Sequence, residues 1–473
     1  MGIRNALVLG LAAVCVVAAV PGGARAETRT LAEALVAAYA NNPTLLAARA
    51  QLRSVDENVP AALAGWRPQV SVSASGGWLQ GTTITHYPGT SYSDPYNSTA
   101  RALRGINSEQ LTVTQPIWRG GQTRAATNQA ENKVMAQRAS LIATEQQVFT
   151  NVVNAFVSVI AYQQVLALDV NNEMVLTRQL QATNDRFRVG EITRTDVAQA
   201  EAALAGATST RQAAEGTLQT SRAQFQQYVG VMPGSLVSPQ PLKLPTRNID
   251  QAKAMAATNN PNVVAALFND AAAKDNFDLQ YSKLMPTVSL QGGVSRVEDV
   301  SQRNVTTEAA QIVASLSVPL YQGGSEYAAI RQARQQQQQT RKQVDDARNI
   351  AVEQVTSAWE THSAARSTLD STRAQIRSNQ IALEGVQREA IVGSRTTLDV
   401  LNAEQTLLQS QVALVQNLAS LVNASYSVAS AVGRLTARDL ALPVQFYDET
   451  AYYKAVHDRW IGTGDAATNQ PNR

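Results

Sequence analysis

The sequence predicts a mostly α, internally duplicated fold that also carries membrane-spanning β-strands, and three observations predict it. The nonamer Val189-Gly190-Glu191-Ile192-Thr193-Arg194-Thr195-Asp196-Val197 returns as Val392-Gly393-Ser394-Arg395-Thr396-Thr397-Leu398-Asp399-Val400 at a constant offset of 203 residues. Gln122 to Phe187 is a run of 66 residues without Pro or Gly, and its twin, Ser325 to Val392, is broken only by Gly385. Four shorter segments alternate apolar with small polar residues, the period of a strand with one apolar face.

The 473-residue chain opens with Arg4, the apolar run Ala6 to Val20 and the small-x-small ending Ala24-Arg25-Ala26. This reads as a secretory signal peptide over residues 1–26, its apolar run too short to span a bilayer. The single cysteine, Cys15, lies inside it, so the exported chain carries no thiol and no disulfide.

Repeat 1 covers residues 27–232. Thr30 with Glu33 three residues on starts a short helix that Asn-Asn-Pro43 stops, and a second helix is expected from Thr44 to Gly65. Repeat 2, residues 250–435, echoes these words with Gln251 to Asn260, Pro261, and a helix from Asn262 to Leu284. Between the repeats lies a proline-rich linker, residues 233–249. After them comes a tail, residues 436–473, with a helix expected over Asp448 to Trp460 and a disordered end from Gly462.

The strand hairpins are expected within residues 68–118 and 286–321. In the first, Val70, Val72 and Ala74 alternate with Gln69, Ser71, Ser73 and Ser75, and the partner strand sets Leu111, Val113 and Ile117 against Thr112 and Thr114. In the second, Val288, Leu290 and Val294 precede Ile312, Ala314, Leu316, Val318 and Leu320. Prolines fall only at the hairpin ends, and the loops are placed at Thr82–Gly105 and Arg296–Thr307. The polar face alone fits the wet side of a soluble sheet equally well. Lengths near the ~9–11 residues of a tilted membrane strand, flanking Trp66, Trp78, Trp118, Tyr281 and Tyr321, and the export signal favour a membrane.

The helical hairpins are expected over 122–230 and 325–433. A 66-residue helix extends for about 100 Å at 1.5 Å per residue, a length that calls for coiled-coil packing. The return helix shows seven-residue columns, Leu401, Leu408, Val415, Val422 and Val400, Leu407, Leu414, Leu421, Val428. The latter transposes to Val197, Leu204, Arg211, Leu218, Phe225, and a two-column stripe suits a cylinder of helices better than one pair.

Composition excludes several functions. Without Arg4 and Arg25 the chain holds 38 cations against 37 acids, which suggests no nucleic-acid partner. His86, His362 and His457 are scattered without ligand spacing, and no phosphate-loop, zinc-protease or nucleophile-elbow motif occurs. No enzyme activity and no cofactor are therefore expected.

Taken in order, these elements resemble the TolC family of bacterial outer-membrane channel proteins. The residues that carry the resemblance are Asn-Asn-Pro43 and Asn-Asn-Pro261, Arg67-Pro68 and Met285-Pro286, and Gln115-Pro-Ile-Trp-Arg-Gly-Gly121 with Val318-Pro-Leu-Tyr-Gln-Gly-Gly324. To these add Arg186-Phe-Arg-Val-Gly190 with Thr195-Asp196-Val197, and the run from Val392 to Leu401. The resemblance implies a homotrimer with a 12-stranded β-barrel, four strands per chain, in outer-membrane lipid, continuous with a long periplasmic α-helical barrel. Four strands alone cannot close a barrel, and open sheet edges are not tolerated in lipid. It further implies export of drugs or, by type I secretion, of proteins, with a periplasmic adaptor protein and an inner-membrane pump or ABC transporter as partners.

The same resemblance places a gate at the two helical bends. Asp399 matches an acidic constriction, Arg395 a gate-locking arginine, and Thr195 and Asp196 its partners on the other hairpin. Three Asp399 carboxylates would attract cations, multivalent ones included. The family's second acidic residue is here Asn402 and its tyrosine before the bend is Ala390, so a double acidic ring and a tyrosine latch are not expected. Val189, Gly190, Glu191, Val392, Gly393 and Ser394 are the expected adaptor-docking tips. Read without the resemblance, Asp196 and Asp399 are helix caps and the two glycines are helix ends. The rival reading of the whole chain is a periplasmic coiled-coil adaptor or scaffold, which predicts one helical hairpin beside β-rich domains and not two with amphipathic strands between them.

Overall fold

The computed structural model describes residues 29–300 and 304–466; the expected signal peptide and the last residues of the tail, 467–473, lie outside them. Each half runs short helices, a strand pair, a very long helix and a return helix. In the first half these are α1 (Leu31–Asn41), α2 (Pro43–Asp56), α3 (Asn58–Leu63), β1 (Gln69–Tyr87), β2 (Tyr96–Arg119), α4 (Gln122–Arg188) and α5 (Arg194–Val229). In the second they are α6 (Ile249–Asn259), α7 (Pro261–Ser282), β3 (Thr287–Glu298), β4 (Thr306–Ser317), α8 (Ser325–Ile391) and α9 (Thr397–Ala431); α10 (Ala451–Val456) lies in the tail.

The Asn-Pro corners are built alike. Asn42 accepts hydrogen bonds from Thr44 N and Leu45 N, capping α2, and its Nδ2 donates to Tyr228 O at the end of α5, 2.9 Å. Asn260 caps α7 through Asn262 N and donates to Ala431 O at the end of α9, 3.1 Å. Each corner thus ties the start of one helix to the carbonyl end of a return helix. The helix expected from Thr44 to Gly65 is broken after Asp56. Pro60 cannot donate to the Asp56 carbonyl and its ring crowds that turn. With no proline inside it, α7 runs unbroken for 22 residues.

The four strands form one antiparallel sheet, ordered β1-β2-β3-β4. Across it lie rows of side chains: Val70–Val113–Gly292–Ile312, then Val72–Leu111–Val294–Ala310, on one face. The other face carries Ser71–Thr112–Gly293–Gln311 and Ser73–Gln110–Ser295–Ala309. Among the described residues, both outer edges, β1 and β4, lack a neighbour within the chain. The loop expected at Thr82–Gly105 is mostly strand: β1 and β2 stay paired to Tyr87↔Tyr96, so the turn shrinks to residues 88–95. The second loop shrinks likewise, to residues 299–305.

The helices pair as α4 with α5 and α8 with α9. α4 and α8 are each 67 residues long, about 100 Å. Helix α8 passes Gly385 without interruption. The core gathers where the short helices meet the long ones, around Leu35, Phe149, Val152, Phe156, Phe225 and Leu435. Arg211, the charged member of an otherwise apolar column, is held by Glu173 at 2.6 Å and by Glu215.

From Thr436 the tail crosses back over α1–α4. Ala437 N donates to Glu145 Oε1, Tyr447 N to Tyr39 Oη, and Tyr452 Oη to Glu57 Oε1. The Arg49 guanidinium lies buried between the Tyr39 and Tyr447 rings, 4.5 and 5.2 Å from their centroids. The tail helix is shorter than expected, Ala451–Val456, because the chain turns at Arg459 to bring Trp460 against Arg67. Ala466 packs on Tyr452 and Val456, so the ordered tail extends past Gly462.

Candidate functional site

The two bends between the long helices are near copies. Gly190 (φ +77°) and Gly393 (φ +80°) sit just past the ends of α4 and α8, in the left-handed region where a Cβ would be strained. Gly190 N donates to Phe187 O and Glu191 N to Arg186 O, both 3.0 Å; Gly393 N donates to Ala390 O and Ser394 N to Glu389 O. These crossed bonds are the Schellman closure of a helix C-terminus.

The return helices start on reciprocal caps. Asp196 Oδ2 accepts from Thr193 N and Thr193 Oγ1, and Asp399 Oδ2 from Thr396 N and Thr396 Oγ1, at 2.7–3.0 Å. The Thr193 hydroxyl bond, then the backbone one, holds the Asp196 carboxyl below its usual range; for Asp399 the Thr396 backbone bond leads. Both carboxylates are therefore ionised in the free tips and committed to capping, yet only half-covered.

An ion pair spans each bend, with its polarity reversed between them. Arg186, in the last turn of α4, donates through Nε to Glu191 Oε1 at 3.0 Å; Glu389, in the last turn of α8, accepts from Arg395 Nε at 2.9 Å. The Arg186 hydrogen bond holds the Glu191 carboxyl below its usual range, and the Glu389 bond, then its charge and that of Asp399, raises Arg395. Sequence reading missed both pairs. The available signal was the opposite charges five and six residues apart, placed to meet once a Schellman turn folds the chain back. Within one chain Arg395 is thus occupied by Glu389 and makes no bond to Asp196 or Thr195, which belong to the other bend.

The tips themselves are open. Val189 and Val392 are each 78% exposed, Thr195, Glu191 and Ser394 are exposed, and a Cβ on either bend glycine would meet nothing within 4 Å. Just behind them Val197 and Val400 are buried, and Leu401 joins Leu176 and Ala207 of the other hairpin. The hairpins are therefore packed side by side behind free ends. Among the described residues of one chain, no group of three or more His, Cys, Asp or Glu is placed to hold a metal.

Known proteins place this architecture. The profile described as outer membrane efflux protein matches residues 34–231 and 254–434. The outer membrane efflux protein BepC of Brucella suis biovar 1 is 36% identical over 452 residues, 95% of each chain. Outer membrane protein TolC of Escherichia coli is 25% identical over 378 residues, 73% of this chain and 74% of TolC. The crystal structure of CusC superposes with a TM-score of 0.73 at 17% identity, covering 85% of this chain and 91% of that one, which shows a shared fold. The chain belongs to the outer membrane efflux protein family and is a TolC-like channel protein of the cell outer membrane.

Proposed function

We propose that three copies of this chain form one export conduit, closed at rest by the helical bends and opened when a periplasmic adaptor and an inner-membrane pump engage them. The observation that carries the reading is the four-stranded sheet with one apolar face and two free edges, β1 and β4. In lipid each free edge would leave a row of backbone groups without partners, and three sheets joined edge to edge remove every edge. Half-buried Leu407, Leu414, Val415 and Leu421 on α9 support the same assembly, since one chain leaves them only partly covered.

At the bends, threefold repetition would set three Asp399 carboxylates around one constriction, a ring that favours cations. Arg395 would hold the ring shut by keeping α8 tied to its own bend through Glu389, and in the trimer by reaching Asp196 or Thr195 of the adjoining hairpin. The exposed Val189-Gly190-Glu191 and Val392-Gly393-Ser394 tips fit a helical adaptor, because the glycines let another backbone come close. That the relative BepC is an outer membrane efflux protein supports efflux as the mode of export.

Planar-bilayer recording tests the gate. Wild type is expected to conduct poorly and prefer cations; Arg395→Ser should open it, and Asp399→Ala should abolish the preference. If Arg395→Ser conducts as wild type does and Asp399→Ala keeps its selectivity, both residues are helix caps and bend ties only.

A further inference from the structure

The two strand pairs differ in height. The row Ala74–Glu109–Arg296–Glu308 ends the apolar face, with Arg296 paired to Glu298 at 2.7 Å and to Glu308 at 3.7 Å. β3 and β4 stop two residues later, at Glu298↔Thr306. β1 and β2 continue as a two-stranded ribbon from Gly77↔Ile106 to Tyr87↔Tyr96, where the two tyrosine rings stack at 4.8 Å. At about 3.4 Å per residue this ribbon adds roughly 35 Å of strand beyond the ends of β3 and β4.

Strand alternation fixes which side chains share the face of Val70 and Val72. On the ribbon they are Trp78, Gln80, Thr82, Ile84 and His86, facing Leu103, Arg101 and Thr99. Trp78 is 82% exposed, Leu103 69% and Ile84 55%. A ribbon standing in water gains nothing from such residues, and their face is continuous with the lipid-facing rows below.

Distance decides what covers them. Trp78 lies four residues beyond Ala74, Leu103 six beyond Glu109 and Arg101 eight beyond it, about 14, 20 and 27 Å along the strand. A strand tilt of about 40° still leaves roughly 10 to 20 Å of height. The headgroup layer of an ordinary phospholipid leaflet is only ~5–8 Å deep. We infer that the outer face of this ribbon is a docking surface for phosphorylated saccharide headgroups of an outer-leaflet glycolipid. Trp78 stacks on a sugar ring, Leu103 and Ile84 cover the C–H faces of neighbouring sugars, and Arg101, the arginine on the ribbon's part of this face, pairs with a phosphate.

The inference rests on the reading that the Val72 face meets lipid, and the test separates the two. With Cys15 confined to the signal peptide, single cysteines at Leu103→Cys and Val72→Cys can each carry a fluorophore. The labelled channel is placed in phosphatidylcholine vesicles, with or without lipopolysaccharide, and quenched by aqueous iodide. The Val72→Cys label should be protected in both. The Leu103→Cys label should be quenched at least 5-fold less in lipopolysaccharide vesicles, and Trp78→Ser with Arg101→Ser should return it to the phosphatidylcholine value. Equal quenching at position 103 in both vesicles overturns the inference: if strong, the ribbon stands in water; if weak, a neighbouring copy covers it. Quenching at position 72 in both would instead overturn the lipid-facing reading.

Discussion

Asp56, at the end of α2, offers a quantitative test of how the tail is held. The residue is 1% exposed, and among the described residues neither carboxylate oxygen has a hydrogen-bond partner. Burial pushes its pKa from 3.8 up to about 7; Arg138 and Arg53 pull it down less than burial raises it, and Glu57 adds to the rise. Tyr447 and Tyr453 of the tail pack on the same cluster. The native state then holds a proton that the unlatched state releases. Stability is fully present below about pH 3.8 and is lost as pH rises through about 7. A rise of roughly three units corresponds to about 4 kcal/mol in all, of which about 2.5 kcal/mol falls between pH 5 and 8. Hydrogen exchange at the Tyr447 and Lys454 amides, corrected for intrinsic rates, reads the docking directly. Wild type should lose about 100-fold protection between pH 5 and 8, and Asp56→Asn, neutral throughout, should lose almost none. An equal loss in Asp56→Asn, or weaker protection than wild type at pH 8, would refute the reasoning.

The corners and bends yield further expectations. Asn42→Ala and Asn260→Ala each remove a cap and strand a carbonyl, so each should cost about 1–3 kcal/mol in denaturant unfolding; Asn→Asp, which keeps the cap but loses the donor to Tyr228 O or Ala431 O, should also destabilise. Gly190→Ala and Gly393→Ala place a side chain at positive φ, costing about 1 kcal/mol each. They should lower export in a complementation assay more than they lower trimer yield, and an equal fall in both would leave the glycines as helix ends alone. Glu389→Ala should mimic Arg395→Ser in conductance, because it removes the same tie from the other side; a closed Glu389→Ala channel would show that the tie does not hold the gate.

Much of the fold was legible because duplication prints each signal twice. The Asn-Pro corners, the paired Gly-Gly turns before α4 and α8 and the repeated bend each appear in both halves, and a chance match in one half has no echo in the other. The misread parts lack a local signal or are carried by one half only. The Thr82–Gly105 segment forms strands whose few apolar residues, Ile84 and Leu103 among them, are too widely spaced to mark a strand by alternation. The break after Asp56 was visible in Pro60, but the parallel with α7 argued for continuity. At the candidate site, the caps of Asp196 and Asp399 follow from spacing. The Arg186–Glu191 and Glu389–Arg395 pairs depend on how a Schellman turn reverses the chain, and no linear pattern announces that. The tail's grip on Arg49 and Glu57 joins residues nearly 400 positions apart and is beyond any local reading.

In the trimer proposed here one chain is a third of a channel, its strand edges closed only by two further copies. Native mass spectrometry of the mature protein extracted from outer membranes in mild detergent tests this most directly. A single species of three chains that dissociates only on unfolding is expected; a folded, monodisperse single chain, stable in detergent with β1 and β4 unpaired, would overturn the trimer.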